Sequence, residues 1–307
     1  MKRLKFFILA VLGLSAAFLH AKMNVVTTTE DLASIARAIG GEKIEVIALA
    51  KGYQDPHFVD AKPSYLIKLQ RADLFIQVGR DLEIGWVPSL LNSARNPKIL
   101  QSASGFSDAS MRVPILEIPT GAVSRAEGDI HPFGNPHYWL DPKNGEFIAD
   151  EIEEKLSSIA PEDASYFHNG AENFKKKLEE SISKWEEKAN KINLNGAKVV
   201  TYHKSWSYFA KRFGLEVVGF IEPKPGIPPS PQHIQSLISQ IKSQNVKLLI
   251  IEPYFDIKLP QKIAYETGAK LVVLPPSVGA EKTILNYFDL FDRLIELLTE
   301  AVGTGGK

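Results

Sequence analysis

The chain has no cysteine among its 307 residues. That excludes disulfides and thiolate metal sites. It also excludes a lipid anchor attached through a cysteine after a signal segment. Net charge is missing as well, with 36 basic residues balanced by 36 acidic ones. No excess of positive charge points to nucleic acid or to an anionic membrane surface. Beyond the first twenty residues, no stretch is long and apolar enough to span a bilayer. There is no His-Glu-x-x-His pattern of a zinc protease and no phosphate-cradling glycine loop.

The chain does begin with Lys2, Arg3 and Lys5, followed by the apolar run Phe6–Phe18. This reads as a secretory signal peptide spanning residues 1–21, cleaved after Ala21. An uncleaved membrane anchor is the alternative. The expected mature product is a soluble, slightly acidic, periplasmic protein rather than a lipoprotein. Its length suffices for two domains with a core each.

Strand and helix patterns alternate from Asn24 to about Pro119. Strands are expected at Val25–Thr28, Ile44–Ala48 and Leu74–Val78. Helices are expected at Glu30–Ile39, capped by Thr29, and at Lys62–Arg71 and Ile84–Ala94. This rhythm implies a parallel sheet covered by helices. It breaks at Glu162–Ile192, where Phe167, Ala171, Phe174, Leu178, Ile182, Trp185, Ala189 and Ile192 recur every three or four residues. Such a stripe predicts one uninterrupted helix about 45 Å long, with two helices broken near Gly170 as the alternative. The rhythm then returns, with strands at Lys198–Tyr202, Glu216–Ile221, Leu248–Glu252 and Lys270–Leu274. Helices are expected at Ser205–Phe213, Pro231–Gln244, Pro260–Thr267 and Thr283–Ala301. The predicted fold class is α/β, with two βα-sandwich lobes of parallel sheet, residues 22–160 and 194–307. One long helix, residues 161–193, joins them. The tail Gly303–Lys307 is expected to fray.

Three histidines are each expected just past a strand. His57 lies in Gly-Tyr-Gln-Asp-Pro-His, His137 in Gly-Asn-Pro-His-Tyr-Trp-Leu-Asp-Pro, and His203 after Lys198–Tyr202. Open α/β sheets bind ligands at the carboxyl ends of their strands. Three imidazoles gathered there make most of a tetrahedral zinc site.

Several motifs resemble a known family. Asp-Pro-His-Phe with Lys-Pro-Ser-Tyr-Leu and Arg-Ala-Asp-Leu-Phe, the His137 segment, and Tyr-His-Lys-Ser-Trp-Ser-Tyr-Phe-Ala-Lys-Arg-Phe-Gly-Leu are similar to three signatures of zinc- and manganese-binding substrate-binding proteins of ABC transporters (cluster A-I). Pro-Ser-Pro at Ser230 and Ile-Glu-Pro-Tyr-Phe around Glu252 also fit. The resemblance implies two lobes bridged by a rigid helix, with the metal between them. It implies a monomer that delivers Zn2+ to a membrane permease driven by an ATPase, and not an enzyme. Family members with histidine at the third ligand position tend to be zinc proteins and those with glutamate manganese proteins, so His203 favours Zn2+ over Mn2+. The chain departs from the pattern twice. The loop Thr120–Asp129 is short and lacks the histidines of many zinc members. The usual fourth ligand, an aspartate after a glycine, is replaced by Gly279-Ala280-Glu281.

The expected metal ligands are therefore His57, His137, His203 and Glu281. His131, six residues before His137, and Asp289 stand in reserve. Asp141 is expected to cap a helix or orient His137, and Glu252 to do the same for His203. Trp139 and Trp206 should pack so as to keep the site dry. His168 and His233 should be exposed, and His20 leaves with the signal peptide. Competing readings are a manganese receptor of the same family, a zinc-dependent hydrolase and a receptor for an organic ligand such as a metal chelate.

Overall fold

In the computed structural model the described residues are 21–121, 131–224 and 226–303. The expected signal segment up to residue 20, the loop from 122 and the tail from 304 lie outside them. The first sheet contains β1 (Met23–Thr27), β2 (Ile44–Ala48), β3 (Leu74–Gln77) and β4 (Phe106–Asp108), in the order β2-β1-β3-β4. The second contains β5 (Lys198–Thr201), β6 (Glu216–Phe220), β7 (Leu248–Ile251) and β8 (Lys270–Val273), in the order β6-β5-β7-β8. Every pairing within both sheets is parallel. The two sheets thus repeat one topology, and each reverses its winding beside its first strand. That is where ligand loops collect in open α/β folds.

Helices α1 (Glu30–Gly40), α2 (Pro63–Arg71), α3 (Val87–Ala94) and α4 (Asn144–Ile159) belong to the first lobe. In the second lie α6 (Ser207–Phe213), α7 (Pro231–Ser243), α8 (Lys258–Thr267) and α9 (Tyr287–Gly303). Strand β4 was not foreseen, and helix α4 was foreseen only as the helix that Asp141 would cap, without a range. The strand has three residues, and the helix carries its apolar positions less regularly than its neighbours. Thr29 occupies the N-cap position of α1 but makes no capping hydrogen bond.

The long helix is α5 (Ala164–Lys191), 28 residues unbroken after a 3-10 turn at Pro161–Asp163. At about 1.5 Å per residue it runs about 42 Å. Phe167, Ala171, Phe174, Leu178, Ile182, Trp185 and Ala189 are all buried. Gly170 does not break it. A Cβ there would stand 2.3 Å from the Ile39 carbonyl oxygen, so the glycine lets α1 cross α5 at close range. The buried stripe packs on α1 and α4 of one lobe and on α9 of the other, and the Trp185 indole donates to Asp292 Oδ1 at 2.9 Å. One continuous apolar cluster consequently runs from Met23 through α5 to Ala301. Separate clusters fill the far face of each sheet, under α2 and α3 and under α7 and α8. Each large side chain so buried contributes roughly 1.5–3 kcal/mol. No described helix is long and apolar enough to cross a membrane.

Candidate metal centre

His57 and His137 reach the site through the same local device. In Asp55-Pro56-His57, Asp55 Oδ1 accepts from the His57 backbone N–H at 3.0 Å and bonds its ring Nδ1 at 2.7 Å. In Asn135-Pro136-His137, Asn135 Oδ1 accepts from the His137 N–H at 3.0 Å and bonds its Nδ1 at 3.0 Å. An Asx side chain that turns back on the backbone two residues ahead is a standard turn element. Here it also takes the Nδ1 proton, so Nε2 carries the lone pair and points away from the turn. His203 leaves β5 with its carbonyl held by Thr201 Oγ1 at 2.7 Å, and its Nδ1 meets Glu222 Oε2, just past β6, at 2.7 Å.

These three imidazoles, all buried, converge from both lobes. One ligand atom from each lies within 4.8 Å of the other two. Ring centroids are separated by 5.1 Å for His57–His137, 5.3 Å for His57–His203 and 5.4 Å for His137–His203. His131 stands beside this group, half-buried, with its Nε2 3.2 Å from His57 Nε2 and the Arg80 backbone near its ring. Arg80 stands in a strained turn, Gly79-Arg80-Asp81, with φ of 83°, 55° and 63°. The buried Glu83 braces that turn by accepting from the N–H groups of Val78 and Gly79 at 2.7 and 3.0 Å.

His57, His137 and His203 therefore each have an outward partner on Nδ1, Asp55, Asn135 and Glu222, and turn Nε2 inward. Metal-bound histidines use the other ring nitrogen in this way. Burial, together with the neighbouring imidazoles, pushes His131 down to about 3 and His137 well below the ordinary histidine range. Both are thus neutral donors at physiological pH. Burial pushes Asp55 up, but its bonds to His57 outweigh this and hold it below the usual carboxylate range. The Nε2 of His137 is buried without a hydrogen-bond partner. His57 Nε2 and His131 Nε2 face each other at 3.2 Å, a separation that a shared proton or a shared cation can bridge. In tetrahedral zinc, nitrogens at 2.0–2.1 Å from the metal stand about 3.4 Å apart.

The carboxylates expected at the centre are elsewhere. Among the described residues, the group of acidic or imidazole side chains able to hold an ion is His57, His137 and His203, without Glu281, Asp289 or His131. Glu281 accepts from Arg293 Nε at 2.8 Å, one element away on α9. Asp289 caps the start of α9, accepting from the N–H groups of Leu285 and Asn286 at 2.9 and 3.1 Å. Asp141 does not orient His137. It accepts from the Lys143 N–H and forms a two-pronged ion pair with Arg212 of the other lobe, at 2.7 and 3.1 Å. The orienting role expected of Glu252 falls to Glu222. Glu252 is fully buried, and burial pushes its carboxyl up to about 8.

Trp139 and Trp206 are buried as expected, and the Trp139 ring lies 5.4 Å from that of His137. His168 is exposed, whereas His233 is half-buried and bonds the Phe220 carbonyl at 3.0 Å. The orienting residues Asp55 and Asn135 escaped the sequence reading, although the repeated Asx-Pro-His triplet was there to signal them. Glu222 carried no comparable signal. Beside the histidines a cavity of about 260 Å³, lined by His131, His137, His203, Lys204 and Phe220 among others, opens to solvent.

Comparison with known proteins agrees with this architecture. The zinc-binding protein AdcA of Streptococcus pyogenes serotype M18 is 25% identical over 303 residues, covering 94% of this chain but 58% of AdcA. The chain thus spans little more than half the length of that relative. The manganese ABC transporter substrate-binding lipoprotein PsaA of Streptococcus pneumoniae serotype 4 is 26% identical over 247 residues, 80% of this chain and 77% of PsaA. A crystal structure of ZnuA superposes with a TM-score of 0.75 at 23% identity, covering 92% of this chain and 99% of that one. Residues 25–301 match the family model described as zinc-uptake complex component A, periplasmic, and the chain belongs to that family.

Proposed function

We propose that the protein is an extracytoplasmic Zn2+ receptor that hands the ion to the permease of an ABC transporter, with His57, His131, His137 and His203 as ligands. The observation that carries this reading is the convergence of three buried imidazoles, His57, His137 and His203, on one point, with His131 Nε2 3.2 Å from His57 Nε2. Four nitrogen donors fill the tetrahedral sphere of Zn2+. They leave no open position for the water that a zinc hydrolase activates, which favours transport over catalysis. The donor set contains no carboxylate, whereas Mn2+ favours oxygen ligands. That argues for zinc even though PsaA, a relative, is named for manganese.

In this reading lobes 22–160 and 194–307 close on the ion from either side, and segment 161–193 keeps them in register. The chain acts as a soluble periplasmic monomer. PsaA is named a lipoprotein, but this chain has no cysteine to carry a lipid. The test is metal analysis of the purified protein, followed by competition titration against a chromophoric zinc chelator. One equivalent of Zn2+, held far more tightly than Mn2+, is expected. Preference for Mn2+, or no stoichiometric metal, would overturn the assignment.

A further inference from the structure

One loop of the second lobe, residues 276–280, lies against both histidine loops of the first. The Pro276 carbonyl accepts from Trp139 Nε1 at 2.9 Å, and the Trp139 indole stands beside His137. Two residues on, the backbone of Val278–Ala280 packs on Gly52, at the start of the turn that ends in His57. A Cβ on Gly52 would fall 2.0 Å from the Val278 oxygen and 2.5 Å from the Ala280 nitrogen. Ser277 and Val278 are buried. The loop is therefore a common wall for His57 and His137.

A single side chain ties that wall to the first lobe. Asp31, in the first turn of α1, is fully buried. Its Oδ1 accepts from the Val278 N–H at 2.9 Å, and its Oδ2 accepts from the Ser277 hydroxyl. The groups around it are few. Glu30 is its acidic neighbour on α1 and is paired with Lys51 and Arg37. From α9, Tyr287 sends its N–H to Ser34 and its hydroxyl to the Trp139 carbonyl. A carboxyl in so dry a place is an expensive way to hold a loop unless its position matters.

We infer that Asp31 is a positioning residue of the metal centre: through Ser277 and Val278 it fixes the 276–280 loop, and through that loop the Trp139 wall of His137 and the Gly52 turn leading to His57. This rests on the functional reading above. It also accounts for Glu281 standing away from the histidines, since the loop leading to it is pinned three residues earlier. Burial pushes the Asp31 carboxyl up to about 7, so near neutrality a neutral amide resembles what is already there. Asparagine can accept from Val278 N–H through its carbonyl and donate to Ser277 Oγ.

The experiment compares Asp31→Ala, Asp31→Asn and Ser277→Ala in the full mature chain. Zinc release into excess chelator should quicken by about ten-fold or more in Asp31→Ala, the scale seen when partners of metal ligands are removed. It should quicken less in Ser277→Ala and stay near wild type in Asp31→Asn. In metal-free protein, the indole N–H resonance of Trp139, one of four tryptophans, should shift in Asp31→Ala and return in Asp31→Asn. That readout stands even if the wild type holds no zinc, an outcome that would sink the functional reading alone. Wild-type release and an unmoved Trp139 resonance in folded Asp31→Ala would overturn the inference. So would an Asp31→Asn variant as impaired as Asp31→Ala. If Asp31→Ala does not fold, wild-type release and resonance in Ser277→Ala would overturn it.

Discussion

Glu222 offers a sharp test of how the centre is built. Its side chain is 9% exposed, and Oε2 lies 2.7 Å from His203 Nδ1 while Oε1 accepts from the Gly226 N–H at 2.7 Å. Replacing it by alanine frees the His203 ring to rotate and removes the acceptor that fixes its tautomer. Loss of such a partner costs about 10–100-fold in metal affinity, or about 1.4–2.7 kcal/mol at about 1.4 kcal/mol per decade. Glutamine keeps a carbonyl acceptor for Nδ1–H but loses the charge. A hydrogen bond to a charged group exceeds a neutral one by about 1 kcal/mol, so Glu222→Gln should weaken zinc only about five-fold. Competition titration of the three proteins side by side, at one pH and ionic strength, measures both steps. Zinc affinity unchanged in Glu222→Ala, or reduced as far in glutamine as in alanine, would show that the carboxylate does not act through the His203 tautomer.

Four further outcomes follow from the same geometry. His131→Ala should weaken zinc far more than Glu281→Gln or Asp289→Asn, measured by the same titration; the reverse order would restore a carboxylate to the centre. Four imidazoles titrating as free histidine would cost about 10⁵-fold in affinity between pH 6.5 and pH 5. With His131 and His137 held neutral by burial the loss should be far smaller, and an equally steep profile would contradict that burial. In metal-free protein the same depression, from about 6.5 in the unfolded chain to about 3 for His131, makes the unfolded state bind more protons. Stability should therefore fall as pH drops through that window, an effect that denaturant titrations at several pH values would reveal and bound zinc would oppose. Gly52→Ala should impair zinc retention without changing any ligand, because its Cβ would meet the Val278 carbonyl, which is backbone and cannot turn aside; retention equal to wild type would refute that packing.

Much of the scaffold was legible in the residues. The α5 stripe gave the long helix because a 3.6-residue period admits one apolar face, and each of its seven central residues is buried. The alternating strands and helices implied two parallel sheets, and both are there. His57, His137 and His203 could be chosen because each follows a strand or stands in a loop beyond one, where such folds place ligands. The Asp-Pro-His and Asn-Pro-His triplets carry their own orientation, since an Asx side chain reaches only two residues ahead.

Where Glu281 and His131 stand was decided by tertiary structure. Counting along the chain put Glu281 at the ligand place, but sequence spacing does not say which way a loop faces. Asp31, 246 residues before Ser277, pins the loop, and Arg293 then claims the Glu281 carboxylate. His131 comes within 3.2 Å of His57, 74 residues earlier in the chain, and Glu222 reaches His203 because β6 runs beside β5. Local patterns fix what a residue does to its near neighbours. Which distant groups share a metal depends on how two sheets meet across one helix, and that is set by packing over the whole chain.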